Sequence, residues 1–247
     1  MNSSLAEQSR NYRQFSVRLL LVIVGLGFWF LTQFLIGQRA VPEANFEQAG
    51  SVLTRCDAGL MATDSLNSFL RTHRTVASAL LISSSAVIDL LGVFLLFQAI
   101  FGPSFRPFLG LLILFALRQF SQMLCILPPP VGMIWESPGF PSLLVTYSVG
   151  NDFFFSGHTG IAVFGAIEIG RLKGRNGILW GIAIAVFEVT SVLVLRAHYT
   201  MDVLTGILAA LCATQAADYF APGVDQRIAG PGGRVSPIPT VSSNTSC

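Results

Sequence analysis

Two short segments concentrate the groups in this chain that can do chemistry. They are Asn151-Asp152-Phe153-Phe154-Phe155-Ser156-Gly157-His158-Thr159 and Arg196-Ala197-His198-Tyr199-Thr200-Met201-Asp202. His198 and Asp202 stand four residues apart, which places both on one face of a helix start. A carboxylate so placed accepts the proton of one imidazole nitrogen and leaves the other nitrogen ready to attack an electrophile. Ser156, Gly157 and His158 add a hydroxyl, a close backbone approach and a second imidazole. Backbone donors at the start of a helix favour a phosphate at the same place. Two of the three histidines share these segments; the third, His73, lies in a polar loop beside Arg71 and Arg74 and reads as a solvated residue. The pattern is that of an oriented nucleophile and an acid–base partner acting on a phosphate ester.

The elements that must position these groups are apolar helices. Hydrophobic residues make up 52% of the 247-residue chain and charged residues 11%, with a mean hydropathy of +0.64. A soluble domain carries about a quarter charged residues, so the polar coat needed in water is missing. Six apolar stretches run approximately from Val17 to Gly37, Val76 to Ile100, Pro107 to Leu127, Phe153 to Gly170, Ile178 to Leu195 and Met201 to Phe220. A spanning helix takes about 20 residues. Alternating ten-residue strands are absent, so helix is the spanning structure. The expected fold is all-α, a polytopic six-transmembrane-helix bundle. It divides into a cytoplasmic N-terminus (1–16), a membrane domain (17–220) and a Gly-, Pro- and Ser-rich disordered tail (221–247).

Loop charge sets the expected orientation. With the N-terminus inside, the cytoplasmic segments hold nine basic residues: Arg10, Arg13, Arg18, Arg106, Arg171, Lys173, Arg175, Arg227 and Arg234. The long segment between the first two stretches holds four, Arg39, Arg55, Arg71 and Arg74, diluted by acidic neighbours. The positive-inside rule then puts both termini in the cytoplasm. Two crossings separate the histidine segments, so parity puts both on the non-cytoplasmic face, of a bacterial inner membrane or of the endoplasmic reticulum or Golgi. Residues 38–74 read as an interfacial helix. The proline- and aromatic-rich run from Pro128 to Tyr147 reads as part of the interfacial belt or as a cap over the site. The four cysteines are scattered, without metal or disulfide spacing. No basic run points to nucleic acid.

The motifs Ser156-Gly157-His158 and His198-x3-Asp202 resemble those of the type 2 phosphatidic acid phosphatase superfamily. The local sequence is most similar to its sphingomyelin synthase-related branch, which includes the plant-type phosphatidylcholine:diacylglycerol cholinephosphotransferases. Asp152 followed by aromatics and Ser156-Gly157-His158-Thr159 is similar to that branch's third motif, and His198-Tyr199-Thr200-Met201-Asp202-Val203 to its fourth. Arg118 with Leu127-Pro128-Pro129-Pro130 is similar to its second. The resemblance covers about residues 107–215. The outer-face lysine motif of the phosphatases is missing: the lone Arg-Pro pair, Arg106-Pro107, has Ala99 at the lysine position.

The resemblance implies a transferase that moves a phospho-headgroup, phosphocholine above all, from a phospholipid to a lipid hydroxyl such as diacylglycerol. His198 would be the nucleophile, oriented by Asp202, and His158 the acid and then the base. Substrate contacts would fall to Arg118, Asp152, Ser156, Gly157, Arg196 and Tyr199, with Arg118 and Arg196 offsetting phosphoryl charge. Membrane lipids are the expected partners, with no metal and no cofactor. Arg118 lies mid-helix, where an intramembrane charge needs a partner. It is read either as an ion pair with Glu188 or Asp89 or as a ligand for the lipid phosphate, and both can hold. The rivals are a lipid phosphate phosphatase and a non-catalytic lipid-binding module.

Overall fold

The computed structural model describes residues 2–38, 46–145, 147 and 153–230, and among them every regular element is α-helical. In chain order these are α1 (Asn2–Gly37), α2 (Phe46–Cys56), α3 (Ala58–Ala62), α4 (Asp64–Thr72), α5 (Arg74–Phe101), α6 (Arg106–Leu124), α7 (Gly157–Val194) and α8 (Thr200–Ala229). Five helices are long and apolar enough to cross a bilayer: Asn11–Gly37 of α1, and α5, α6, α7 and α8.

The fourth and fifth apolar stretches are joined in α7. A straight helix of 38 residues would run about 57 Å at 1.5 Å per residue, well beyond a hydrocarbon core of about 30 Å. Instead α7 folds back at Gly174, whose φ of 58° and ψ of −139° lie outside the helical region. A side chain is strained there, and glycine supplies the turn. The two legs then press together. An added Cβ at Gly181 would fall 2.8 Å from the carbonyl oxygen of Ala166, the close backbone approach that small residues permit between helices in lipid.

α8 packs against α6 and α7, and α5 packs against α7. The core joins Ile88, Leu91 and Leu95 of α5, Leu111, Leu114 and Phe115 of α6, Ile161 and Phe164 of α7, and Ala209, Ala210 and Ala213 of α8. Ala210, Ala213, Ala217 and Ala221 are fully buried at helical spacing, which lets α8 approach its neighbours closely. Large apolar side chains such as Phe28, Leu90, Phe97 and Trp180 are exposed. In water such a surface would aggregate; facing lipid tails, it is the ordinary exterior of a bundle.

Three boundaries differ from the sequence expectation. α1 begins at Asn2, within the segment expected to precede the first span, and α6 stops at Leu124. α8 continues through Pro222 to Ala229, where the tail was expected to begin. Proline removes one ladder hydrogen bond and crowds the preceding turn, yet Asp225, beyond it, is held by Ser104 Oγ (2.6 Å), the amide of Phe105 (2.8 Å) and Arg18 (3.7 Å). Residues 231–247 lie outside the described residues. The 38–74 segment is helical from Phe46 onward, as α2 to α4.

The end of the bundle opposite the histidines is tied by charge. Arg106, 5% exposed, pairs with Glu168 of α7 and with Asp218 of α8 at 3.0 Å, and Arg171 meets Asp218 through two bonds of 2.7 Å. Removing one member of a buried pair leaves an uncompensated charge, at a cost of about 3–5 kcal/mol, whereas half-exposed pairs contribute up to about 1 kcal/mol. Arg106→Ala is therefore expected to lower the unfolding temperature in detergent markedly, and Arg171→Ala only slightly. Equal losses in a thermal melt would contradict this ranking.

Candidate active site

Each histidine sits at a helix start, and the two starts are bonded together. Ser156 caps α7: its Oγ accepts from the Thr159 amide (3.3 Å) and from Thr159 Oγ1 (3.0 Å). Its own amide donates to the carbonyl of Asp202 in α8 at 3.0 Å. At the α8 start, Asp202 Oδ2 accepts from the Tyr199 amide and faces Nδ1 of His198, both at 3.1 Å. Asp202 is 0% exposed. A carboxylate facing Nδ1 fixes the proton there, so the lone pair of His198 is on Nε2.

His198, His158, Gly157 and Arg118 line one cavity of about 60 Å³, walled by Trp29, Phe115, Trp135 and Phe153. His158 Nε2 is buried and has no hydrogen-bond partner among the described residues. Its ring meets the edge of Trp135 at 5.2 Å and 82°, and Phe153 meets His198 at 6.1 Å and 68°. Aromatic edges thus fix both imidazoles without consuming their nitrogens. Gly157 gives Arg118 its room, since an added Cβ would stand 3.3 Å from Arg118 Nε.

Arg118 pairs with neither carboxylate expected for it. Glu188 accepts from Ser84 Oγ at 2.6 Å, while Asp89 accepts from Ser142 Oγ and from the amides of Leu143 and Leu144, each at 2.9 Å. Arg118 Nη1 instead donates to Gln33 of α1.

The remaining expected site residues divide. Asp202 stands behind His198, and Ser156 serves as the α7 cap rather than as a cavity wall. Arg196, at a φ of 53°, gives its guanidinium to Asp64 and to the carbonyl of Val131 (2.5 Å), away from the cavity. Tyr199 donates its hydroxyl to the carbonyl of Pro128 at 3.0 Å. Asp152 lies outside the described residues.

These bonds belong to a polar layer that sequence reasoning missed. Asn67 of α4 donates to the carbonyls of Gly132 and Val194 (3.1 and 2.9 Å), and the amide of Ile134 donates to Leu195 (2.8 Å). Asp57 caps α3 through the Leu60 amide (3.0 Å) and accepts the amide of Thr200 (2.8 Å) and its hydroxyl. The segment α2–α4 and the proline loop therefore clamp the chain on both sides of His198. The cap sequence Asp57-Ala-Gly-Leu was a readable signal for α3; that Asp57 would also grip Thr200 had no local signature. Gln33, a lone amide in an apolar stretch, was the readable sign that α1 faces a polar site.

Among the described residues the arrangement is all-helical, with five helices able to cross a bilayer and a buried His–His–Asp constellation at one end. The chain matches the family model described as AtPDCT1/2 over residues 56–219, more than half of its length, and it belongs to that family of phosphatidylcholine:diacylglycerol cholinephosphotransferases. The family is one of enzymes, phosphotransferases acting on phospholipids. Neither a curated protein nor a solved structure matches the chain significantly.

The Asp57 clamp has a pH signature. Burial alone would raise its pKa, but the hydrogen bonds from the Thr200 side chain and from the Leu60, Thr200 and Gly59 backbone outweigh it and hold the carboxyl below its ordinary value. The stability it contributes is present above the unfolded pKa of about 3.9 and is lost as pH falls through the lower folded value. Asp57→Asn should destabilise the detergent-solubilised protein at pH 6 and lose that deficit relative to wild type at pH 3. A deficit unchanged between the two would show that Asp57 acts without its charge.

Proposed function

We propose that this protein transfers phosphocholine from phosphatidylcholine to the hydroxyl of diacylglycerol through a phosphohistidine on His198. The observation that carries this reading is the pairing of His198 Nδ1 with a fully buried Asp202 across one cavity from His158, whose Nε2 has no hydrogen-bond partner among the described residues. Family membership supplies the substrate class.

In the first half-reaction His198 Nε2 attacks phosphorus and the bond from phosphorus to the glycerol oxygen breaks. His158 gives that oxygen its proton, and diacylglycerol leaves. In the second, His158 takes the proton of an incoming diacylglycerol hydroxyl, whose oxygen attacks phosphorus as the phosphorus–nitrogen bond breaks. Asp202 holds the imidazole of His198 in the attacking tautomer and stabilises the positive charge that develops on it. Arg118 offsets charge on the non-bridging oxygens. The aromatic walls keep water scarce, so a lipid hydroxyl can compete for the intermediate.

The two legs of α7 are proposed to cross the bilayer separately, which gives six crossings with both termini cytoplasmic and the histidines on the opposite face. The basic turn Arg171–Gly177 and the α7 fold at Gly174 support this. A single cysteine at Ser137 should then react with a membrane-impermeant reagent from outside, and one at Lys173 should not. The reverse pattern would invert the orientation.

Purified protein given headgroup-labelled phosphatidylcholine and unlabelled diacylglycerol should move the label into new phosphatidylcholine, with little free phosphocholine. His198→Ala and His158→Ala should each reduce transfer by roughly 10²–10⁴-fold, and Asp202→Asn by up to about 10⁴-fold, through the wrong tautomer. Rapid phosphate release from phosphatidic acid without headgroup transfer would replace this reading with a phosphatase.

A further inference from the structure

α1 lies outside the family-matching segment, yet it supplies one wall of the cavity. Trp29 is 6% exposed, with its ring stacked on Phe115 at 4.5 Å and 15° and tilted against Phe30 at 4.5 Å. Those contacts satisfy the ring's packing but not its polar atom. The Nε1–H is buried and has no hydrogen-bond partner among the described residues. A buried indole N–H ordinarily finds an acceptor, and leaving one unmade is costly. Four residues on, and so on the same helix face, Gln33 turns its Oε1 toward Arg118 and Gln119, the latter at 3.2 Å. One face of α1 therefore carries both a donor beside the cavity and the acceptor that holds the arginine at that cavity.

We propose that Trp29 is a substrate-binding residue whose indole N–H donates to a non-bridging oxygen of the phosphoester seated between His158, His198 and Arg118. The proposal rests on the phosphoester reading of that cavity. The chemistry of the lining favours this occupant. The cavity's polar side chains are two imidazoles, a guanidinium and the indoles of Trp29 and Trp135, each able to donate, and no carboxylate among the described residues lines it. Such a donor-rich set suits an acceptor-rich anion. Arg118 and Trp29 would then hold the phosphoryl group while His198 and His158 act on the bonds to phosphorus. Gln33, which touches Arg118 rather than substrate, is a positioning residue.

The test separates the N–H from the ring. Trp29 is replaced by its benzothienyl isostere, which exchanges N–H for sulfur at nearly constant shape, and in parallel by Trp29→Phe. Calorimetry then measures binding of phosphocholine and of choline to wild type and both variants in detergent, alongside headgroup transfer. A hydrogen bond to a charged acceptor implies about a ten- to hundredfold weaker phosphocholine affinity without the N–H. Choline affinity should be unchanged, and transfer should fall in parallel. Unchanged phosphocholine affinity in the isostere overturns the proposal, whatever Trp29→Phe does to folding. Absence of phosphocholine binding in wild type overturns it as well, and transfer that persists in that case leaves the function standing. Phosphocholine binding that depends on Trp29 in a protein that moves no headgroup upholds Trp29 and overturns the transferase reading.

Discussion

The structure is organised around one buried carboxylate. Asp202 has no exposed surface, and a carboxyl buried in a bundle is tolerated only with partners. Its Oδ2 takes the amide of Tyr199 and Nδ1 of His198, and its backbone carbonyl takes the amide of Ser156. One residue thus sets the tautomer of one histidine and docks the helix that carries the other. The distance between the two histidines is a property of the α7–α8 junction, not of either loop alone.

The rest of the molecule ties that junction in place. At the far end, Arg106, Glu168, Arg171 and Asp218 tie α6, α7 and α8 together, while Arg18 and Asp225 bring in α1 and the α5–α6 turn. At the histidine end, α2–α4 and the proline loop hold the backbone around His198 through Asp57, Asp64 and Asn67. Arg196 illustrates the division of labour. Its backbone is in the left-handed region, a conformation that costs free energy for a long side chain, and two polar contacts on its guanidinium hold it there. A carboxylate of the α4 start is thereby coupled to the geometry of the adjacent histidine.

Much of this was legible in the sequence. Hydropathy found the five helices long and apolar enough to span, reading α7 as two stretches, because an unbroken apolar run has few other meanings. The i, i+4 spacing of His198 and Asp202 predicted their contact, and the shared end of His158 and His198 followed from counting crossings. What the sequence concealed was long-range. Nothing near Arg118 says that it meets Gln33 and neither Glu188 nor Asp89, since all three lie in apolar helices and the choice depends on helix rotation. Likewise Arg196 was expected to offset phosphoryl charge because of the family resemblance, while the partners it meets, Asp64 and Val131, come from distant segments. Pro222 suggested a helix end, and the tertiary bonds of Asp225 overrode it. Trp29 sits in a run of aliphatic and aromatic neighbours, and only its burial beside the histidines sets it apart.

The central claim is that His198 becomes covalently bonded to phosphorus. Wild-type protein incubated with headgroup-labelled phosphatidylcholine and no acceptor, then quenched in base, should carry an acid-labile label. Mass spectrometry should place that label on the peptide containing His198, and added diacylglycerol should discharge it before the quench. His158→Ala, which retains the nucleophile but lacks the proton donor, should accumulate the label slowly, and His198→Ala not at all. Headgroup transfer with no trappable adduct, or a label on any residue other than His198, would contradict the account and point to direct displacement between the two lipids.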